Sequence, residues 1–259
     1  MKFSAIAIYL ILAPLFSMAS DHRDSSNIER DQYRHPAKTL AFFDIQPGQN
    51  VVEIWPGGGW YTEVLAEKMQ GKGQLIAAHF PKDSGVNFFR RSRQQFEDKV
   101  AQQPHNYKNL TFSDFEPPRH ISIATPSSAD KVLTFRNVHN WMRNDSEQLA
   151  FNAFFKALKP GGMLGVVEHR APESFNLQQM VDSGYVSQWY VIKLAKKAGF
   201  VLLGESEINA NKLDTKSHPN GVWTLPPTLR IKGADNIKKY KAIGESDRMT
   251  LKFIKPKFN

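Results

Sequence analysis

Three consecutive glycines, Gly57-Gly58-Gly59, stand between a short apolar run, Val51-Val52-Glu53-Ile54-Trp55, and a segment whose apolar residues Trp60, Val64, Leu65 and Met69 recur at helical spacing. That is strand, glycine turn, helix. A buried strand feeding a helix through a turn this tight constrains the fold strongly, because the pair needs a further strand on which to pack.

The rest of the chain supplies those strands. Residues 74 to 79 form a second strand, closed off from the first helix by Gly71-Lys72-Gly73, and residues 88 to 100 read as a charged amphipathic helix. Leu110-Thr111-Phe112 is a third strand and residues 130 to 135 a fourth, buried one. The next helix is expected to begin at Asn144 or Asp145, with Gln148 completing a capping box and Ala150, Phe154, Ala157 and Leu158 facing inward. Lys159-Pro160-Gly161-Gly162 turns the chain into a fifth strand, residues 163 to 168. A helix with Tyr190, Leu194 and Ala198 in register stops at Gly199, a left-handed cap, before a sixth strand over 200 to 203 and a seventh over 249 to 254.

Strands separated by helical segments of about a dozen residues imply right-handed crossovers. The predicted fold is α/β: a single doubly wound, mainly parallel seven-stranded sheet with helices on both faces. Ligands in such sheets sit beyond the carboxyl ends of the strands. The chemistry is therefore expected in the loops after Trp55, His79, Phe135 and Glu168.

The glycine turn is the strongest chemical signal, since it lets backbone amides and a helix N-terminus approach a ligand closely. It lacks the terminal Lys-Ser/Thr of a phosphate-cradling loop and fits the dinucleotide fingerprint poorly. Glu53 to Gly59 instead resembles the first motif of class I S-adenosylmethionine-dependent methyltransferases. Ser113-Asp114-Phe115, residues 130 to 135 and Leu158-Lys159-Pro160-Gly161-Gly162 resemble later motifs of that family in the same order. The strings 53 to 62, 135 to 141 and 244 to 250 are similar to a group of predicted exported bacterial methyltransferases. The resemblance spans residues 40 to 255 and implies a Rossmann-like methyltransferase fold. It also implies S-adenosylmethionine as cofactor, bound by Glu53, Trp55, Gly57, Gly58, Gly59, His79, Asp114 and Asn137.

Two positions depart from the pattern. Trp55 stands where the motif has its first glycine, which reshapes the pocket beside the cofactor. His79 stands where the family has an acidic residue gripping the ribose hydroxyls, and an imidazole cannot offer the paired acceptors of a carboxylate.

Methyl transfer to oxygen or nitrogen needs an aligned nucleophile and a nearby base. His139, in Asn137-Val138-His139-Asn140-Trp141 after the fourth strand, is the candidate general base, because an imidazole titrates near neutrality. Glu168 and His169, followed by Arg170, offer an acid and a second base after the fifth strand. His79, His139 and His169 end strands on one edge of the sheet beside Glu168, yet no local pair such as His-x-x-x-His supports a metal, and none is expected. His35 reads as a surface histidine, and Trp189, Tyr190 and Trp223 as packing rather than sugar platforms.

Zero cysteines exclude thiolate zinc sites, iron–sulfur clusters and cysteine nucleophiles. Lys2, an apolar run over 3 to 16 interrupted by Pro14, and Ser17-Met18-Ala19 match a cleavable secretory leader over residues 1 to 19. The mature protein is expected in the periplasm with no membrane span, as a polar lead-in over 20 to 39 and one domain over 40 to 259. Of the net charge of +9, residues 230 to 259 carry +6, from nine Lys or Arg against Asp235, Glu245 and Asp247. That reads as a solvated basic terminal segment and not as a nucleic-acid stripe. The expected activity is methyl transfer to a small-molecule or cell-envelope substrate by a monomer or homodimer. The alternative is a non-catalytic small-molecule-binding protein that keeps the fold.

Overall fold

A computed structural model describes residues 23–257, so the leader expected over residues 1 to 19 lies outside the described residues. Three short helices come first: α1 (Ser25–Ile28), α2 (Asp31–Arg34) and α3 (Pro36–Phe42). Then follow β1 (Asn50–Ile54), α4 (Trp60–Met69), β2 (Gln74–His79), α5 (Asn87–Gln102), β3 (Leu110–Asp114), β4 (Ala129–Phe135), α6 (Val138–Trp141), α7 (Glu147–Ala157) and β5 (Leu158–His169). The chain finishes through α8 (Leu177–Ser183), α9 (Gln188–Ala198), β6 (Val201–Ser206), α10 (Ala234–Ile243) and β7 (Arg248–Ile254).

The seven strands form one sheet in the order β3-β2-β1-β4-β5-β7-β6. Pairing is parallel from β3 to β5, and β7 is antiparallel to both β5 and β6. Strand order reverses between β1 and β4, so their carboxyl ends flank the switch point.

Alternation along β1 shows why this strand runs through the middle. Val52 and Ile54 pack into a layer with Phe151, Phe154 and Val191, whereas Val51 packs into the opposite layer with Leu40, Leu65 and Phe43. A strand buried on both faces reads as a continuous apolar run. Glu53, on the Val51 face, is the polar exception, and its carboxyl meets Thr62 of α4.

Several expectations need correction. The capping box at Gln148 does not form: a 3-10 turn over Met142–Asn144 and left-handed Asp145 (φ 49°) delay the helix to Glu147. Gln148 bonds Asn152 and the Leu194 carbonyl instead. A capping box does form at α8, between Asn176 and Gln179. β5 starts earlier than expected, at Leu158, because Ala129 pairs with Leu158 across an irregularity in β4. The basic C-terminal segment is not simply solvated. Arg248 lies buried in β7, and Lys255 donates to the carbonyls of Phe155 and Leu158. Among the described residues no helix is long and apolar enough to cross a membrane.

Candidate active site

Two cavities open at the switch point. The first, about 460 Å³, is lined by the β1–α4 turn, the loop after β4 and, from the lead-in, Asn27, Arg30 and Arg34. The second, about 500 Å³, lies against Phe80, Phe89 and Glu116 and shares Trp55, Gly57, Asn137 and Asn140 with the first. The polar lead-in is thus part of the site, although its sequence carries no core pattern.

The glycine turn is shaped by backbone and packing together. Gly57 and Gly59 have positive φ (60° and 79°), and a Cβ on Gly59 would stand 2.4 Å from the Phe96 ring of α5. Trp55 also adopts a left-handed φ of 45°, an uncommon conformation for a bulky side chain. Its indole holds that geometry: Nε1 donates to the Phe115 carbonyl at 2.7 Å, and the ring packs on Phe80 and Trp141 at 4.6 and 5.4 Å. Trp55 therefore forms the wall between the two cavities.

Glu53 sits at the root of the turn, buried, with Thr62 Oγ1 donating to Oε2 at 2.6 Å. Burial, opposed by Thr62 and Lys99, pushes its carboxyl up to about 8, so it is largely protonated at pH 7. Asn137 clasps the two central strands, its Nδ2 donating to the Ile54 carbonyl (2.8 Å) and to Thr134 Oγ1 (3.2 Å).

His139 and His169 line the first cavity, their ring centroids 5.3 Å apart. Behind them Glu168 is fully buried. Its Oε1 lies 3.0 Å from His139 Nδ1 and accepts from the His169 amide, and its Oε2 accepts from the Val138 amide. A carboxylate on Nδ1 fixes the proton there and leaves Nε2 of His139 as the acceptor. His169 Nδ1 contacts Ser246 Oγ at 2.5 Å. Burial, then His139 and the nearby arginines, hold His169 well below the usual imidazole range.

One ligand atom each from His139, Glu168 and His169 lie within 4.8 Å of one another. His79 is not in this group. The set is poorly suited to a cation, because Glu168 already accepts from three donors and Arg136, Arg248 and Arg34 raise the local potential at His169. Arg170 turns away, paired with Glu207 and Asp247.

The second cavity differs from the sequence-based placement of cofactor residues. His79 is buried, its Nδ1 accepting from the Phe80 amide at 2.7 Å and its Nε2 3.2 Å from the Gly57 carbonyl. Burial pushes it down to about 4, so it is neutral and committed to shaping the turn. Asp114 lines neither cavity and pairs with Arg93 at 3.0 Å. Two residues on, Glu116 does line the second cavity. Its Oε1 takes Arg119, and its buried Oε2 has no hydrogen-bond partner.

Sequence reasoning missed Glu116, Arg34 and Arg136. The only available signals were a second carboxylate after β3 and a charged residue directly before Asn137. Trp189 is exposed on α9, Tyr190 donates to Glu147, and Trp223 lines the first cavity 6.0 Å from His139. His35 is half-buried at the start of α3 and lines neither cavity.

Comparison with solved structures matches this architecture. An S-adenosylmethionine-dependent methyltransferase from Aquifex aeolicus superposes with a TM-score of 0.57 at 14% identity over 90% of this chain and 99% of its own. The chain has the Rossmann-like methyltransferase fold. The cyclase SpnF shares it, with a TM-score of 0.60 at 15% identity over 92% of this chain and 86% of that one. Among curated proteins, the ubiquinone/menaquinone biosynthesis C-methyltransferase of Legionella pneumophila (strain Corby) is 25% identical over 185 residues. That alignment takes in 70% of this chain and 65% of the relative, so just under two thirds of the relative's length is spanned. No family model matches the chain.

Proposed function

We propose that the protein is an S-adenosylmethionine-dependent methyltransferase acting outside the cytoplasm on a small-molecule or cell-envelope substrate. The observation that carries this reading is the open glycine turn with Glu53 at its root, facing a cavity at the switch point of a methyltransferase fold. The curated relatives, themselves methyltransferases by name, support the activity, and the leader-like residues 1 to 19 support export.

The residues present fit the cofactor by different contacts at its two ends. At the methionine end, Glu53 and the exposed turn face the cavity, and beside a cationic ammonium the Glu53 carboxyl would release its proton to water and accept a hydrogen bond as a carboxylate. At the nucleoside end His79 and Asp114 are otherwise engaged, and the second cavity offers an aromatic wall of Trp55, Phe80 and Phe89. The orphaned Glu116 Oε2 there is an acceptor for an amine or hydroxyl.

When bound, the sulfonium supplies an electrophilic methyl group. His139 then accepts the proton of the acceptor's O–H or N–H at Nε2, while Glu168 holds the ring through Nδ1 and stabilises the imidazolium that forms. His169, neutral, offers a hydrogen bond to the acceptor from the same wall.

Calorimetric titration of S-adenosylmethionine and S-adenosylhomocysteine into the purified chain tests this reading. Saturable binding of both, weakened about tenfold or more by Glu116→Gln, is expected from the loss of a charge-assisted hydrogen bond. Absence of binding at millimolar ligand would remove the reading. The lack of a ribose carboxylate favours one alternative, a binding protein that keeps the fold without turnover. Labelled methyl appearing in a cell-envelope extract excludes that alternative, and binding without any transfer supports it.

A further inference from the structure

The first cavity holds an unusual excess of fixed positive charge, and that excess bears on what it accepts. Arg34 is fully buried. Its Nε donates to Glu245 at 2.9 Å, its guanidinium lies 4.6 Å from the Trp60 ring centre, and Nη1 and Nη2 have no hydrogen-bond partner. Arg136 stands directly after β4 on a left-handed φ of 63°. Its guanidinium makes no hydrogen bond or ion pair among the described residues, and its Nε is buried. Both line the cavity beside His139 and His169.

Among the described residues, Glu245 is the one carboxylate that pairs with the arginines of this cluster, since Glu168 is taken up by His139 and two backbone amides. Glu245 is shared by Arg30, Arg34 and Arg248, and Glu53 is protonated near neutrality. Four guanidiniums therefore face a single carboxylate. Buried charge of one sign without a partner is costly, and a ligand of opposite sign relieves it. The Arg136 guanidinium, unpartnered in the cavity lining with only its Nε buried, matches an oxyanion in geometry as well as sign, and the buried Arg34 beside it adds to the positive potential.

The cofactor as a whole does not supply the missing charge, although its carboxylate alone has the sign to meet one arginine. Its carboxylate arrives with an ammonium and a sulfonium, so as a whole it is cationic and adds to the excess. We infer that the methyl acceptor is an anion, a carboxylate or phosphate monoester, whose acidic group is held by Arg136, in the positive potential of Arg34, with its reacting atom beside His139. This rests on the methyltransferase reading for the word acceptor, while the anion site itself does not.

The test uses inorganic phosphate and malonate as probes, titrated into the full chain alone and with saturating S-adenosylhomocysteine. Because Arg34 also carries Glu245, the decisive variant is Arg136→Met, since the Arg136 side chain makes no hydrogen bond or ion pair among the described residues; an unchanged thermal transition verifies the variant's fold. Binding of at least one probe, weakened tenfold or more by Arg136→Met while S-adenosylhomocysteine affinity is unchanged, is the expected result. The tighter of the two probes identifies the acceptor's acidic group. Failure of both probes to bind overturns the inference. So does a loss of S-adenosylhomocysteine binding in Arg136→Met with probe binding intact, since the arginine would then serve the cofactor's carboxylate. If the probes bind through Arg136 and S-adenosylhomocysteine never binds, the anion site stands and the methyltransferase reading falls.

Discussion

Glu53 shows how one buried side chain ties stability to the site. Its carboxyl is held at about 8 in the fold, mainly by burial, against about 4.5 for an exposed glutamate. Between those values the native state keeps a proton that the unfolded chain has released, so stability falls as pH rises from about 4.5 to 8. A tenfold difference in proton affinity between the two states is worth roughly 1.4 kcal/mol, which puts the loss across that whole range on the order of 5 kcal/mol. Glu53→Gln keeps an acceptor for Thr62 and has no such proton to lose. Urea unfolding at pH 5 and pH 8 should show a clear decline for the parent protein and a flatter profile for the variant. Equal slopes would mean that Glu53 is ionised in the native state.

At the scale of elements, the β1–α4 turn does two jobs with three glycines. Gly59 brings α4 against α5 so closely that the Phe96 ring leaves no room for a methyl group, and its φ of 79° is strained for any L residue. Gly58 has open space around its Cβ position and no positive φ. Gly59→Ala should therefore cost about 2–4 kcal/mol through strain and overpacking, and Gly58→Ala less than about 1 kcal/mol. The shift in urea midpoint of the two variants measures the difference, and similar values for both would contradict this account of the turn. The turn was legible in the sequence because glycine and apolar spacing are local signals, and the same holds for the seven strands and the Gly199 cap. Contacts between distant segments were not. Asp114 occupies the expected place in β3, but Arg93 of α5 engages it and Glu116 faces the cavity instead. His79 likewise ends β2 as expected, yet its ring is used up by the turn. Arg34 gave no signal at all, since a lone arginine in a polar segment is usually solvated and is buried here by Trp60 and by Glu245, 211 positions away.

That long-range contact organises the whole molecule. Glu245, just before β7, accepts from Arg30 and Arg34 of the lead-in and from Arg248 of β7, fastening the first described helices to the last strand and closing one side of the cavity. Burial alone would raise its carboxyl, but Arg248, Arg34, Arg136 and Arg30 outweigh that and hold it down to about 2. The sign is thus opposite to that of Glu53. The stabilisation is fully present above about pH 4.5, where even the unfolded glutamate is ionised, and is lost as pH falls toward 2. Glu245→Gln removes the shared charge and leaves the buried guanidiniums unopposed, a loss expected to cost about 3–5 kcal/mol. Because the contact joins the lead-in helices to β7, the damage should be regional as well as global. Limited proteolysis of the variant at neutral pH should cut first within residues 23 to 42, releasing the lead-in before the sheet is touched. The parent protein should acquire the same cutting pattern only as pH falls below about 4.5. A variant as resistant and as stable as the parent would show that the lead-in is held by its apolar contacts at Leu40 and Phe43 and not by Glu245.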